Sequence, residues 1–298
     1  MNPYKEISDY LAGDFNKIIT NEMTPTLNNI GMKAGIGEIA KPRYTLLLFA
    51  CETGNYQVVI ELLKLGVNPV TITECLDLDM YDTIVFKNHS PFSMAAKKGF
   101  VDLINLFLSY NIDINQQNNI GRTALHFACK HGHTDVVSLL INAGAEINIK
   151  DTYGQLPVHL STAEILDLLF INGADINAQD EDGCTPLICA SIDNKTNIIQ
   201  KLISYGCNLN IQDNQGNTAL MSACDWNNYD IVLKLISYGC DLDMQNVNCE
   251  TALMIANRNG YLDIVNHLIR ARCNVEPALN MSNDDDLDFI KFLGCCDS

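Results

Sequence analysis

The chain has 298 residues, of which 47% are hydrophobic, so it is long enough to bury a large core. Its formal net charge of −17 at pH 7 produces a field that repels polyanions, which excludes nucleic acids from the expected partners. No apolar run approaches the roughly 18 residues of a membrane-spanning helix, and acidic residues stand where a signal peptide would need apolar ones, so we expect an intracellular, cytoplasmic protein without membrane contact.

The first 22 residues predict a helical cap. In LAGDFNKII, which starts at Leu11, a glycine precedes apolar residues at helical spacing, as it does in CKHGHTDVV from Cys129. Because the end of a helical stack exposes its apolar core, a cap over residues 1–22 is expected to cover it. Residues 23–42 contain two prolines and three glycines, which favours a loop over a helix.

From residue 43 to residue 274 the chain repeats one unit. Helix starts recur at intervals of 33 residues, with one interval of 29 and one of 45. The sequences at these starts are TLLLFA from Thr45, SPFSMA from Ser90, TALHFA from Thr123, LPVHLS from Leu156, TPLICA from Thr185, TALMSA from Thr218 and TALMIA from Thr251. After each start come a turn, a second apolar helix and, in most copies, a stop glycine such as Gly144. A unit with one apolar side cannot fold alone, so the units must stack.

This pattern resembles the ankyrin repeat, whose marker is T-P-L-H-x-A and whose unit is a β-turn finger followed by two antiparallel helices. The resemblance implies an all-α fold, an α-solenoid of helix-turn-helix repeats with short β-turn fingers, with about seven repeats and a cap at each end. Threonines at the helix starts are expected to cap them, since a hydroxyl accepts from unpaired backbone N–H groups. Short, half-buried extended segments leading into the next finger are expected at Ile147, Ile176, Leu209 and Leu242.

Three segments depart from the period. Twelve extra residues enlarge the finger over 70–89, where a solvated acidic loop is favoured over a contact site and the spacing does not fit a calcium loop. The acidic residues of this insertion are Glu74, Asp77, Asp79 and Asp82. The repeat over 151–178 is four residues short, which predicts shortened helices and a division of the array into two blocks. Residues 275–298 are expected to form a C-terminal capping repeat.

Most of the twelve cysteines follow the repeat. Cys207, Cys240 and Cys273 lie 33 residues apart, and equivalent atoms in stacked repeats are about 10 Å apart, which is too far for a disulfide. We therefore expect small core residues and neither a disulfide nor a zinc site. The repeat also accounts for the positions of four histidines without a metal site. His126 and His159 stand at the fourth position of the helix motif, and two others flank Gly132 in the turn between the helices. No metal and no cofactor are expected.

Function is expected to reside on the surface. No nucleophile with a base, phosphate-binding glycine loop or paired carboxylates accompany the repeats, so we expect no enzyme activity. The resemblance implies that finger tips and the exposed ends of the first helices line a concave groove that binds a partner protein. The candidate residues are Lys97, Lys98, Lys130, His131, Tyr153, Glu181, Asp182, Ile192, Asp193, Asp225, Trp226 and Arg258.

Charge is uneven along these positions, since the block before the shortened repeat is basic and the block after it is acidic. Trp226 lies among the acidic residues, where it could anchor a partner or cover the adjacent helix end. The expected function is a monomeric, non-enzymatic protein-binding scaffold. The alternatives are an adaptor that recruits substrates to a ubiquitin ligase, for which no ligase-recruiting box is recognised, and a host-directed effector. The Asn- and Ile-rich composition suggests a large virus, a protist or an intracellular bacterium, and a viral or intracellular bacterial source would place the protein in the host cytoplasm.

Overall fold

A computed structural model describes residues 42–64, 66–70 and 89–275. Across these residues there are fourteen helices and no strand. The helices follow one another in pairs: α1 (Pro42–Thr53) and α2 (Tyr56–Lys64), α3 (Pro91–Lys98) and α4 (Val101–Leu108), α5 (Ala124–Lys130) and α6 (Thr134–Asn142), α7 (Pro157–Leu160) and α8 (Ala163–Ile171), α9 (Pro186–Ile192) and α10 (Thr196–Ser204), α11 (Ala219–Asp225) and α12 (Tyr229–Ser237), α13 (Ala252–Arg258) and α14 (Leu262–Val275). The predicted all-α fold of helix-turn-helix units is confirmed.

Several expected segments fall outside the described residues. The N-terminal cap over 1–22 does so entirely, as does the loop over 23–42 except for its last residue. That residue, Pro42, is the first of α1 instead, because the fixed φ of proline suits the first turn of a helix. The enlarged finger over 70–89 and the C-terminal cap over 275–298 lie outside the description apart from the residues at their edges.

Threonine hydroxyls cap three of the first helices as predicted, whereas at the fourth expected position, Thr123, the hydroxyl makes no cap bond and the backbone N–H donates to His126 Nδ1. The Oγ1 atoms of Thr185, Thr218 and Thr251 accept from the backbone N–H groups three residues on, at 3.3, 3.3 and 3.4 Å. At the start of α3 two serines cap each other: the Ser93 N–H donates to Ser90 Oγ at 3.1 Å, and the Ser90 N–H donates to Ser93 Oγ at 2.9 Å. These bonds satisfy backbone donors that the first helical turn leaves unpaired.

The core is a row of leucine and alanine side chains on the first helices, packed against branched residues of the second helices. In α5 and α6 the buried members include Leu125, Ala128, Val137 and Leu140, none more than 1% exposed. Contacts divide the chain into two compact units, Met1–Thr152 and Tyr153–Ser298. First helices pack side by side within each unit: α3 on α5 in the first, and α11 on both α9 and α13 in the second.

The prediction of extended segments at Ile147, Ile176, Leu209 and Leu242 is wrong, because the chain turns or bends at each of these positions. The backbone N–H of Asn177 donates to Asp175 Oδ1 at 3.0 Å, and that of Asn210 donates to Asn208 Oδ1 at 3.0 Å. A short polar side chain that accepts from the residue two positions on closes a tight turn of this kind. The apolar residue inside each turn is buried or half-buried, as expected.

Polar side chains connect successive fingers. Gln179 Nε2 donates to Gly183 O at 2.8 Å in its own finger and to Gln212 O at 2.9 Å in the next one. Gln212 repeats the arrangement one period later, donating to Gln245 O at 2.8 Å. These bonds replace water as the partner of finger carbonyl groups and hold adjacent finger tips at a fixed spacing.

The shortened repeat loses residues from one helix only. Its first helix, α7, has 4 residues, whereas α9 and α11 each have 7. Its second helix, α8, has 9 residues, the same length as α10. The prediction that both helices shorten is therefore wrong for the second. The backbone at Ser161 is extended, at φ −68° and ψ 153°, so α7 ends there and α8 begins two residues later without an intervening turn.

Candidate functional site

The candidate residues lie where first helices end and where fingers turn, and they are divided between the two compact units. Lys97, Lys98, Lys130 and His131 belong to the first unit, at the ends of α3 and α5. The second unit holds Tyr153, Glu181 and Asp182 on fingers and Ile192, Asp193, Asp225, Trp226 and Arg258 at helix ends. We therefore describe an acidic-aromatic patch in the second unit and a basic cluster in the first.

Trp226 is the most prominent residue of the acidic-aromatic patch, which comprises Tyr153, Glu181, Asp182, Ile192, Asp193, Asp225, Trp226 and Arg258. It is the residue at which α11 ends, and its backbone N–H donates to Ser222 O at 3.1 Å. Its side chain is nonetheless 61% exposed. The following residue, Asn227, has a φ of 56°, a value that asparagine tolerates better than most residues, so the chain reverses immediately after the tryptophan. The backbone of Trp226 is thus fixed while its ring faces solvent.

Two of the acidic residues around Trp226 are paired with other side chains. Asp225 Oδ1 accepts from Asn259 Nδ2 at 2.9 Å and lies 3.7 Å from Arg258 Nη2. Asp193 Oδ2 pairs with Lys195 Nζ at 2.7 Å. Sequence analysis missed both partnerships, although Arg258 lies one 33-residue period after Asp225, a spacing that places equivalent residues of neighbouring repeats side by side.

Fingers of the second unit contribute exposed residues to the patch. Tyr153, Glu181 and Asp182 are all exposed. Their backbones are ordered by hydrogen bonds between fingers: the Glu181 N–H donates to Tyr153 O at 3.0 Å, and the Asn214 N–H donates to Asp182 O at 2.9 Å. Ile192 is half-buried, and its carbonyl oxygen accepts from Asn228 Nδ2 at 3.3 Å. Exposed side chains on a hydrogen-bonded backbone lose little backbone entropy on binding.

The basic cluster of the first unit consists of Lys97, Lys98, Lys130, His131, His89 and His133. Lys97 lies at its centre, with its Nζ 3.5 Å from His89 Nε2 and its carbonyl oxygen 2.8 Å from His133 Nε2. The rings of His131 and His133 stack with their centroids 6.3 Å apart. His89 and His133 were not assigned to the site from the sequence, because only the folded chain brings them to Lys97.

The positive charges of the basic cluster act on one another. Burial lowers the pKa of Lys97, and Lys98 and Lys130 lower it further, against an opposing effect from Glu52. The pKa of His131 is lowered by partial burial and then by Lys97, His133, Lys130 and Lys98. The same two causes, burial and then neighbouring positive charge, lower the pKa of His89 to about 4. Glu52 is the one carboxylate paired with the cluster among the described residues, at 3.6 Å from Lys98 Nζ.

The motif histidines have structural roles. His126 is fully buried, and its Nδ1 accepts from the Thr123 backbone N–H at 3.1 Å. His159 Nε2 lies 3.1 Å from Ala178 O and 3.3 Å from Cys184 O, which ties α7 to the following finger. No group of three potential metal-ligating residues occurs in the part of the chain that the structure describes.

The described cysteines are free, and most are buried. Burial raises the pKa of the Cys207 thiol to about 11 and that of the Cys240 thiol, with a smaller effect from Asp241, to about 12. A buried thiol in an apolar environment stays protonated near neutral pH and is a poor nucleophile. These residues therefore behave as the small packing residues that their register predicts.

A shallow cleft lies between α8 and α10, with a volume of about 510 Å³. Its lining residues are Ala163, Glu164, Asn197, Gln200, Lys201 and Ser204. The sequence did not indicate this cleft. None of the described helices is both long enough and apolar enough to span a membrane.

Models of known protein families match the part of the chain that contains the helix pairs. A model of three consecutive ankyrin repeats matches residues 47–151, 92–180 and 158–246. A model of a single ankyrin repeat matches residues 248–280. Together these matches extend over residues 47–280, well over half of the chain. No curated protein matches the chain.

Proposed function

Since the chain belongs to the ankyrin repeat family, whose repeats generally mediate protein–protein interaction, we propose that it is a non-enzymatic scaffold that binds a partner protein through its first-helix ends and finger tips. In this proposal the acidic-aromatic patch is the main contact surface, within the concave groove that the family resemblance implies. The scaffold acts as a monomer in the cytoplasm, or in the host cytoplasm if its source is a virus or an intracellular bacterium.

The observation that supports this proposal most strongly is the exposure of Trp226. A tryptophan ring that is 61% exposed leaves a large apolar surface in water, and covering that surface with a partner is favourable. Because the backbone of Trp226 is hydrogen-bonded to α11, little conformational freedom is lost when the ring is covered. Tryptophan is among the residues that most often dominate binding energy at interfaces.

The charges around Trp226 indicate the chemistry of the partner. Glu181 and Asp182 are exposed acids, Asp193 is exposed and paired with Lys195, and Asp225 interacts with Arg258 and Asn259. A partner segment with an apolar side chain for the tryptophan and flanking basic side chains fits this surface. Charges at the rim of an interface mainly raise the association rate and make it depend on salt.

Replacement of the tryptophan tests the proposal. For Trp226→Ala we expect the melting temperature to stay within a few degrees of wild type, because the ring is exposed and its removal leaves no cavity. Partner capture, measured by affinity purification with mass spectrometry, should fall by roughly 30-fold in affinity, equivalent to about 2 kcal/mol. Tyr238→Ala is the matched control, since Tyr238 is an exposed aromatic residue at the end of α12 in the same unit.

Two results would contradict the proposal. One is undiminished partner binding by both Trp226→Ala and the double variant Asp193→Lys, Asp225→Lys. The other is a large fall in melting temperature for Trp226→Ala with binding spared in the folded fraction, which would show that the tryptophan covers the adjacent helix end.

A further inference from the structure

The basic cluster is unusual in a chain with a formal net charge of −17. Three lysines and three histidines come together from the two ends of α3, the end of α5 and the turn before α6. Among the described residues a single carboxylate, that of Glu52, pairs with them. Lysines at a helix C-terminus are favoured by the helix dipole, which explains one positive residue per helix end. It does not explain a set of positive side chains from two adjacent helices which, after burial, lower the pKa values of Lys97 and His131.

Lys97 contacts a neutral group where an anion would be favourable. An ammonium group only donates hydrogen bonds, so His89 Nε2 must act as the acceptor of the Lys97 contact and the ring proton must lie on Nδ1. His89 is only 6% exposed, and its Nδ1 has no hydrogen-bond partner. Its ring packs on Phe127 with centroids 4.4 Å apart, which fixes its orientation. The half-buried ammonium group of Lys97 therefore contacts a neutral imidazole and not a carboxylate.

His131 lies close to lysines of both α3 and α5, which lower its pKa further than partial burial alone. Lys97 and Lys98 face it from α3, Lys130 precedes it at the end of α5, and His133 stacks on it from the turn before α6. Glu52 of α1, the carboxylate paired with the cluster among the described residues, lies 3.6 Å from Lys98 Nζ. A carboxylate brought to this surface would be attracted by the lysines and would also favour the charged form of His131.

We propose that the basic cluster binds an acidic segment of a partner protein, a run of glutamate or aspartate residues, with uptake of a proton at His131. The inference deepens the proposed function, because it gives the first unit its own contact surface and names the chemistry of the segment bound there. A short acidic segment fits better than a nucleic acid, since the net charge of −17 repels a long polyanion while a short segment meets only the local cluster.

The proposal has a definite pH dependence. In the free protein the pKa of His131 is below its ordinary value, and bound carboxylates raise it. Proton uptake at His131 therefore accompanies binding, so the affinity increases as the pH falls through the pKa that His131 has in the complex. The affinity levels off below the pKa that His131 has in the free protein. Each unit by which binding raises this pKa strengthens binding by about tenfold at the acidic limit. The glutamates of the segment remain mostly charged down to about pH 5.5.

Fluorescence anisotropy of a labelled peptide of eight glutamates, titrated with the full chain at low salt between pH 8 and pH 5.5, tests the inference. We expect binding that strengthens toward pH 5.5 and weakens with added salt, and no binding of a peptide of eight glutamines. His131→Gln should bind with a flattened pH profile. The double variant Lys98→Glu, Lys130→Glu should lose at least about tenfold in affinity. Lys64→Glu, Arg270→Glu, which makes the same change in net charge at exposed positions elsewhere, should lose less than about twofold.

Circular dichroism shows whether each variant is folded. Equal binding by the cluster variant and its charge-matched control would overturn the inference, as would an unchanged pH profile for His131→Gln. Binding of inorganic phosphate or duplex DNA in place of the glutamate peptide would also overturn it, because it would assign the cluster to a different ligand. Trp226→Ala should leave peptide binding unchanged, so failure of this inference and failure of the proposed function are distinguishable.

Discussion

At the scale of single residues, the Arg122–Asp151 pair shows how a charge can be buried in this chain. Arg122 Nε lies 2.8 Å from Asp151 Oδ2, and the two side chains are 12% and 0% exposed. The pair connects the base of one finger to the next finger along the chain. Burying a lone charge is costly, so each partner depends on the other.

Removal of one partner should therefore destabilise the first unit. For Asp151→Ala we expect the free energy of unfolding to fall by about 3 kcal/mol or more, because the Arg122 guanidinium, whose side chain is 12% exposed, would lose the carboxylate 2.8 Å from its Nε. The control is Asp193→Ala, which removes an exposed pair with Lys195 whose side chains are 48% and 53% exposed and should cost less than about 1 kcal/mol. Urea unfolding followed by circular dichroism measures both, and equal losses would show that burial does not determine the effect.

Interactions that depend on neighbouring residues in the sequence could be predicted, whereas interactions between side chains of different repeats could not. The capping role of Thr218 follows from its own position relative to the helix start. The contacts between Lys97 and His133, and between Asp225 and Arg258, depend on which groups of different repeats reach one another. Register predicts such neighbours but does not predict their rotamers, so the charges could be located from the sequence while their pairing could not.

At the scale of helices, the repeat period predicts the array well because each helix pair is defined by its own turn, cap and apolar face. The prediction failed for α8, since a four-residue deletion can be taken from either helix or from the turn, and α7 and its turn absorbed it entirely. At the other end, Arg272 stands where other repeats have a stop glycine, and α14 continues to Val275.

The shortened repeat should be the least stable layer of the second unit. Its first helix, α7, has 4 residues and buries Pro157 and Val158, whereas α11 buries six residues. Stability in a repeat array is approximately a sum of unit and interface contributions, so the layer with less buried surface opens more often. We expect amides of residues 156–173 to exchange with deuterium faster than those of residues 218–239. Hydrogen exchange with mass spectrometry measures this, and equal or slower exchange in residues 156–173 would contradict it.

At the scale of the whole molecule, stability is distributed over many local contacts. Leucine–alanine packing recurs in most helix pairs, and glutamine side chains connect successive fingers. Such an array has no single centre on which folding depends. The sequence predicted this organisation because it is periodic. The cleft between α8 and α10 lies beside the shortened repeat, so the repeat period did not indicate it.

A stability distributed in this way does not depend on a metal ion or a disulfide bond. We expect the melting temperature to change by less than about 2 °C on addition of EDTA or dithiothreitol, because the described cysteines pack as free thiols and the histidines of the repeats bond to backbone groups. Loss of a structural disulfide typically costs about 2–5 kcal/mol, and a bound metal stabilises the folded state by mass action, so either would lower the melting temperature by several degrees when removed. Differential scanning calorimetry in matched buffers measures the change, with EDTA preloaded with zinc as the control for nonspecific effects. A fall of more than a few degrees with free EDTA alone would reveal a metal site, and a fall with dithiothreitol alone would reveal a disulfide.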